Sequence, residues 1–179
     1  MDADEILVFD TGPLSHFSMN NWLGPLKAVV GERRAVIPDV VVEELRVGAA
    51  RDGRIAAVLD AAWIEHRELG TPEEIEAFGR FSELLVKKER NRGEAGVLAL
   101  ASTMGGVAVI DDRAARKAAE SLKVKFCPTL ALLCESIRQG LLTPALVGAL
   151  ADDLLSTEYH LPFSSGGFVA WATENGLVS

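Results

Sequence analysis

The sequence is short of the residues that support several common chemistries. It has two cysteines, Cys127 and Cys134, both inside one apolar stretch, and three histidines without i, i+4 spacing. This pattern favours buried, reduced thiols over a disulfide and argues against a zinc site. No Gly-x-x-x-x-Gly-Lys-Ser/Thr loop and no Gly-x-Ser-x-Gly motif is present, which excludes a P-loop and a hydrolase nucleophile elbow.

Long apolar runs and a basic leader are also missing. No apolar segment approaches the roughly 20 residues of a membrane span. The first residues, Met-Asp-Ala-Asp-Glu, are acidic where a signal peptide is basic. We therefore expect a cytoplasmic protein with no membrane association. With 179 residues, 49% of them hydrophobic, the chain is expected to bury a core unaided as one domain.

Positive charge is in deficit, since the formal net charge is −8. This balance argues against a polyanionic partner, although acids gathered in one metal site would reverse the local field. The basic residues nevertheless form two clusters, which are either solvated helix faces or the rim of an RNA-binding surface. The clusters are Lys87, Lys88, Arg90 and Arg92, and Arg113, Arg116, Lys117, Lys123 and Lys125.

Short apolar segments predict the strands of a parallel sheet. Ile6–Phe9 is a continuous apolar run, typical of a strand buried on both faces. Similar segments occur at Ala35–Ile37, Val107–Ile110 and Val124–Phe126. Trp63–His66 is either a strand or the continuation of a helix. Helical patterns alternate with these segments, which indicates an α/β sandwich with a mostly parallel sheet.

Helix signals occupy the intervals between the strands. The clearest is Thr71-Pro72-Glu73-Glu74, a capping box that predicts a helix to about Lys88. Asp39 is expected to cap a helix that ends at Gly48. Further helices are predicted after Asp10 and at 54–59, 94–104, 113–122, 128–138, 144–155 and before Trp171.

The C-terminal part of the chain, residues 141–179, differs in character from residues 1–140. We expect residues 1–140 to form the functional domain and residues 141–179 to be a helical extension packed on it. A contact between two subunits or a flap that binds a partner is the alternative for this extension.

Carboxylates recur where strands end and helices begin. Asp10 and the pair Asp111-Asp112 follow predicted strands, whereas Glu44 and Glu94 lie in the early turns of helices. The carboxyl ends of parallel strands meet at one edge of the sheet, where ligands bind. Each acid taken singly is explained by helix capping or by the helix dipole. As a group without basic partners they would repel one another unless they bound protons or a metal ion.

Oxygen ligands of this kind suit hard divalent cations such as Mg²⁺ or Mn²⁺. Glu43 and Glu44 compete for the inward direction, because neighbouring helical residues point about 100° apart. We favour Glu44, which shares a helix face with Val40 and Val47.

Taken in order, these segments resemble the PIN-domain nucleases, a family that includes the VapC-like toxins of prokaryotic toxin–antitoxin pairs. The resemblance covers roughly the first 140 residues and implies a PIN-like three-layer α/β/α sandwich. Its motifs are Asp10-Thr11-Gly12-Pro13-Leu14 after a strand, Glu43-Glu44-Leu45 followed by Gly48, Gly93-Glu94-Ala95, and Asp111-Asp112-Arg113-Ala-Ala-Arg116.

The resemblance also implies a metal-dependent site. The catalytic quartet that holds Mg²⁺ or Mn²⁺ would be Asp10, Glu44, Glu94 and Asp112. Asp111 would lie beside them as a further ligand, and Thr11 would help to order a metal-bound water. Many relatives have aspartate in place of Glu94 and asparagine in place of Asp111, so the chain departs from the family there. Arg113 or Arg116 would brace a phosphate oxygen, unless each pairs with an acid of the same helix such as Glu120.

The activity implied is that of an endoribonuclease, the toxin of a toxin–antitoxin pair. The expected partners are an RNA substrate, a cognate antitoxin protein and a second copy of the chain in a homodimer. The alternatives are a non-catalytic PIN-fold module that binds RNA or protein, and a phosphatase or flap-type DNA nuclease that uses similar acids.

Overall fold

A computed structural model describes residues 5–85 and 91–178 of the chain. Within these residues the strands are Ile6–Phe9 (β1), Arg34–Pro38 (β2), Ile64–Arg67 (β3), Val107–Val109 (β4) and Phe126–Cys127 (β5). They form one sheet in the order β3-β2-β1-β4-β5, and every neighbouring pair is parallel. The mostly parallel sheet expected from the sequence is confirmed.

The central strand shows that helices cover both faces of the sheet. Leu7, Val8 and Phe9 of β1 are each at most 1% exposed. Successive residues of a strand point to opposite faces, so both faces must be covered. The fold is therefore the three-layer α/β/α sandwich that the sequence predicts.

Ten α-helices lie in the described residues and supply the outer layers. They are Thr11–Met19 (α1), Leu23–Val30 (α2), Asp39–Arg51 (α3), Ala56–Leu59 (α4), Pro72–Leu85 (α5), Arg92–Met104 (α6), Arg113–Ser121 (α7), Thr129–Arg138 (α8), Pro144–Ser156 (α9) and Phe168–Glu174 (α10). None of the described helices is both long enough and apolar enough to span a membrane.

The first helical region is divided, whereas the sequence predicted one helix after Asp10. Asn21 has a left-handed φ of 60°, and this conformation ends α1 before α2 begins. The helix that follows β2 also differs from its prediction. Its N-cap is Pro38 rather than Asp39, and it continues beyond Gly48 to Arg51.

Two strands differ in detail from the sequence analysis. The segment around Trp63, which was left open, forms β3 from Ile64. β5 begins at Phe126 rather than at Val124, because the chain leaves α7 through Lys123 with a left-handed φ of 57°. Residues 124 and 125 lie between that turn and β5, and the Ala108 N–H already donates to the Lys125 carbonyl over 2.9 Å. The paired register starts with Ala108 opposite Phe126.

The predicted capping box of α5 is present. The Glu74 N–H donates to Thr71 Oγ1 over 3.2 Å, and the Thr71 N–H donates to Glu74 Oε2 over 2.9 Å. The end of this helix, predicted near Lys88, lies outside the described residues.

The C-terminal helices join the main core. Val147, Leu150 and Leu154 of α9 are fully buried in it. Polar bonds also connect this region to the N-terminal helices, since Trp22 Nε1 donates to Asp153 Oδ2 over 2.8 Å. The domain boundary near residue 140 stays a prediction.

Gly96 on α6 should be sensitive to substitution, because a Cβ there would overlap Val40 Cγ2 of α3 and lie 3.4 Å from Pro38 Cγ. We expect Gly96→Ala to lower the free energy of unfolding by about 1–3 kcal/mol through overpacking. Gly79→Ala on α5 is the matched control. A Cβ there has nothing within 4 Å, and alanine is the better helix former by about 1 kcal/mol. Urea denaturation measures both, and a Gly96→Ala protein as stable as the wild type would contradict the packing described.

Candidate active site

Two neighbouring strands deliver acidic residues to the same edge of the sheet. β1 and β4 pair in parallel, Asp10 follows β1, and Asp111 and Asp112 follow β4 after one residue. The strand order reverses at this pair, because β2 and β3 lie on one side of β1 whereas β4 and β5 lie on the other. Such a switch point opens a crevice at the carboxyl ends of the strands, which is where ligands bind in open α/β sheets.

Asp10 is the most buried of the candidate acids, at 9% exposure. Its Oδ1 atom is buried and has no hydrogen-bond partner among the described residues. Burial raises the pKa of Asp10 well above its ordinary value, and the nearby charges of Glu94 and then Glu44 raise it further. The backbone N–H groups of Thr11 and Gly12 oppose this rise. The charged form of Asp10 is therefore held at a cost that a cation would offset.

Glu44 of α3 is oriented by two hydrogen bonds. Thr11 Oγ1 donates to Glu44 Oε2 over 2.5 Å, and the Gly93 N–H donates to Glu44 Oε1 over 3.0 Å. Glu43 is exposed, so Glu44 is the inward residue of the two. Val47, which the sequence analysis placed on the same inward face, is 55% exposed. The buried face of α3 is thus narrower at this end than its periodicity indicated.

Glycine at position 93 permits this arrangement. A Cβ there would lie 2.5 Å from Glu44 Oε2 and 3.0 Å from its Cδ. The carboxylate of Glu44 can therefore approach the backbone of α6 only because residue 93 has no side chain.

Glu94, in the first turn of α6, connects the acids electrostatically. Burial raises its pKa, and the charges of Glu44 and Asp112 contribute to the rise. Because Asp10 also senses Glu94 and Glu44, the four carboxylates form one group of mutually repelling charges. Within the described residues none of the four makes an ion pair with a lysine or arginine.

Asp112 is exposed and caps α7. Its Oδ1 accepts a hydrogen bond from the Ala115 N–H over 2.8 Å. The capping explanation considered for Asp112 is therefore correct, whereas Asp10 makes no side-chain capping bond. Capping uses one oxygen of Asp112, and Oδ2 accepts no hydrogen bond from the residues that the structure describes. That atom is available to a ligand.

Asp111 has a different environment from the other acids. Its Oδ1 accepts from the Thr129 N–H over 2.9 Å, and its Oδ2 accepts from Thr129 Oγ1 over 2.6 Å and from the Tyr159 hydroxyl. Both oxygens are thus committed to the start of α8 and to the C-terminal segment. The assignment of Asp111 as a further metal ligand stays a prediction, and in this structure the bonds of Asp111 connect β4 to α8 and to Tyr159.

Thr129, Tyr159 and His16 were not identified as site residues from the sequence. Tyr159 is buried, donates to Asp111, and packs edge-on against the His16 ring with 4.9 Å between ring centroids. His16 Nδ1 in turn lies 2.9 Å from Thr157 Oγ1. The available signal was that the chain has a single tyrosine, whose hydroxyl needs a partner when buried.

The candidate basic residues on α7 are unpaired. Neither Arg113 nor Arg116 makes an ion pair in the described residues, so the pairing with Glu120 that the sequence left open is not formed. Arg116 Nε is buried and has no hydrogen-bond partner there. Of the first basic cluster, Lys87, Lys88 and Arg90 lie outside the described residues.

Two clefts border the acids. One, of about 420 Å³, is lined by Glu44, Arg51 and Arg92 among others, and the second, of about 360 Å³, is lined by Asp112, Arg113 and Tyr159 among others. Glu44 therefore lines one cleft, and Asp112 lines the other. An extended ligand has room on both sides of the acid group.

The donor set suits a hard divalent cation, because it consists of carboxylate oxygens that form no ion pair with a lysine or arginine within residues 5–85 and 91–178. It includes the buried Oδ1 of Asp10, which has no hydrogen-bond partner in that part of the chain. In the described residues, however, no three His, Cys, Asp or Glu side chains converge closely enough to form a ready-made metal cluster. The acids match a metal site in kind, and their side chains would have to rotate to enclose an ion.

Comparison with known families identifies the fold. The family model DUF3368, described as a PIN domain, matches residues 6–164. A search of curated proteins gives no match. Because the family match spans most of the sequence, the chain belongs to the PIN-domain family. PIN domains are generally nucleases that bind nucleic acid and typically use divalent metal ions.

Asp10→Asn should stabilise the metal-free protein at neutral pH. The pKa of Asp10 is raised in the folded state, so the unfolded chain ionises more easily. The loss of folding stability that results is absent below the unfolded pKa of about 3.9 and grows as the pH rises towards the folded pKa. Removing the charge should raise the Tm measured in chelator by about 2–4 °C for each kcal/mol by which the free energy of unfolding increases.

Differential scanning calorimetry from pH 4 to pH 8 measures this gain. Asp60→Asn, which removes the same charge from an exposed turn, is the control. A gain that does not grow with pH would show that Asp10 carries no such penalty.

Proposed function

We propose that the chain is a Mg²⁺- or Mn²⁺-dependent endoribonuclease that hydrolyses RNA phosphodiester bonds. The observation that carries the proposal is the group of four acids near the β1/β4 switch point, which form no ion pair with any described lysine or arginine and include the buried Oδ1 of Asp10. Membership of the PIN-domain family supports the same conclusion.

The proposed roles follow from the contacts. Asp10, Glu44, Glu94 and Asp112 would hold the ion. Thr11 and the Gly93 N–H keep Glu44 turned towards Asp10 and Glu94, because both donate to its carboxylate. Asp111 is proposed as a positioning residue that fixes the exit of β4, and with it Asp112, through its bonds to Thr129 and Tyr159.

When bound, a divalent ion supplies an activated water and neutralises charge at the reacting phosphate. Arg113, beside Asp112 in the same cleft, is placed to hold a non-bridging phosphate oxygen. In the reaction a water oxygen forms the new bond to phosphorus, the bond to the leaving oxygen breaks, and that oxygen takes up a proton. The proton that the attacking water loses balances the proton that the leaving oxygen takes up.

The cellular role that we propose is that of the toxin of a toxin–antitoxin pair, acting on RNA in the cytoplasm. A cognate antitoxin and a homodimer are the partners that this role implies. A gene for a small protein directly beside the gene for this chain would be the expected source of the antitoxin.

One observation favours a second candidate, a non-catalytic PIN-fold module that binds RNA or protein. In the described residues no three potential ligands form a preassembled metal cluster. Titration calorimetry separates the two functions. The nuclease should bind Mn²⁺ with a stoichiometry that Glu44→Gln reduces. The binding module should release or absorb no heat when Mn²⁺ is added at millimolar concentration.

Glu44→Gln should lower the rate of RNA cleavage by more than about 100-fold, because a direct metal ligand contributes at least as much as its supporting contacts. Glu76→Gln, which removes the same charge from an exposed position on α5 outside both clefts, is the control and should retain activity. The assay follows a labelled single-stranded RNA with Mn²⁺, with chelator, and with DNA or a phosphomonoester as competing substrate classes. Cleavage that survives chelator and Glu44→Gln would remove the assignment.

Gly93→Ala should impair the site with little loss of stability. The new methyl group would displace the Glu44 carboxylate, which is the mobile end of its side chain, so the fold can adapt. We expect activity and Mn²⁺ affinity to fall by about 10–100-fold, as for other supporting contacts of a metal ligand. Cleavage rates, Mn²⁺ titration and Tm are measured together. Unchanged Mn²⁺ affinity would show that Glu44 need not lie against α6.

A further inference from the structure

A third cavity lies beside the candidate active site and has no role in the proposed cleavage step. Its volume is about 370 Å³, within the range of roughly 300–1,000 Å³ that small-molecule sites occupy. One wall comes from α7 and α8, with Arg116 and Arg138. The opposite wall comes from the C-terminal segment, with His160, Leu161 and Trp171.

The cavity is adjacent to the cleft that contains Asp112. Asp111 and His160 line both spaces. A strand whose reacting phosphate lies at Asp112 can therefore place a neighbouring nucleotide in the third cavity. Both oxygens of Asp111 already accept hydrogen bonds from Thr129 and Tyr159, so Asp111 has little capacity to bind that nucleotide, and the negative charge of Asp111 has to be offset by the arginines of the cavity.

The cationic groups of the cavity lack protein partners. Neither Arg116 nor Arg138 forms an ion pair with a described carboxylate, and Arg116 Nε is buried without an acceptor. In a chain of net charge −8, two arginines that form no ion pair with a described residue bring positive charge to this cavity. Guanidinium groups bind phosphate oxygens in a planar, two-bond geometry.

The apolar groups of the cavity favour a flat ring. Trp171 packs against Phe163 with ring centroids 5.3 Å apart and 45° between the ring planes, and Phe163 packs edge-on against the buried Phe168 at 5.8 Å. A supported indole is a rigid surface for stacking. Proteins that bind single-stranded RNA typically combine such aromatic surfaces with arginines that hold the backbone.

We propose that this cavity binds one nucleotide of the RNA strand next to the cleaved phosphate, with its base stacked on Trp171 and its phosphate held by Arg116 and Arg138. The inference rests on the proposed function for the identity of the substrate. It gives the C-terminal segment a role in substrate binding, in addition to its packing on the core.

The test measures binding of a fluorescein-labelled, eight-nucleotide single-stranded RNA by anisotropy in chelator, so that no cleavage occurs. Trp171→Leu should raise Kd about tenfold, which is typical of the loss of one base–aromatic stack. Trp171→Phe should restore most of the affinity, because it keeps an aromatic face.

A charge-matched pair tests the phosphate contact. Arg138→Gln should weaken binding and reduce the slope of log Kd against log salt by about one unit. Arg80→Gln, exposed on α5 and away from the three clefts described, should change neither. An RNA with a single abasic nucleotide should bind the wild type about tenfold more weakly when the abasic nucleotide is the one that occupies the cavity. Trp171→Leu should abolish this difference in affinity between abasic and intact RNA.

These readouts distinguish the two proposals. If wild type cleaves RNA in a Glu44-dependent way but Trp171→Leu and the abasic RNAs bind normally, the nucleotide site is wrong and the nuclease stands. The cavity would then be free for another occupant, such as a peptide of a partner protein. If wild type neither binds nor cleaves RNA, both proposals fail. Tm confirms that each variant is folded, and the abasic RNAs test the site even if Trp171→Leu does not fold.

Discussion

The buried carboxylate of Asp10 is the constraint around which the functional edge of this domain is arranged. It lies at the end of the central strand, where Glu44 and Glu94 add negative charge and no described lysine or arginine pairs with it. An apolar core would be more stable without such a group. Its position at the switch point of a parallel sheet accounts for it, since ligands bind at that point.

The surrounding contacts orient these charges without neutralising them. Thr11 and the backbone of Gly93 hold Glu44, and α7 uses only one oxygen of Asp112 for its cap. Asp10 Oδ1 and Asp112 Oδ2 therefore stay without a hydrogen-bond donor among the described residues. This explains how the same acids are suited to a divalent cation although no closed cluster exists among the described residues.

The C-terminal segment is connected to this edge by polar bonds as well as by apolar packing. Tyr159 bonds to Asp111, His16 to Thr157, and Trp22 to Asp153. The family match covers residues 6–164 and includes all three of these contacts. Residues 141–179, which were predicted to be a helical extension, thus border both the cleft at Asp112 and the nucleotide cavity that we propose.

The sequence by itself determined the parallel α/β fold, the capping box at Thr71 and the strand-end positions of Asp10 and Asp112, because periodicity, caps and strand exits are local properties of the chain. Element ends were less certain where a left-handed residue such as Asn21 or Lys123 changes the path of the backbone. Only the tertiary structure decided which acids share an environment. Asp111 and Asp112 are neighbours in sequence and line the same cleft. Both oxygens of Asp111 nevertheless bond to Thr129 and Tyr159, whereas Oδ2 of Asp112 accepts no hydrogen bond from a described residue. The reason is that partners so distant along the chain are selected by packing, which no local pattern records.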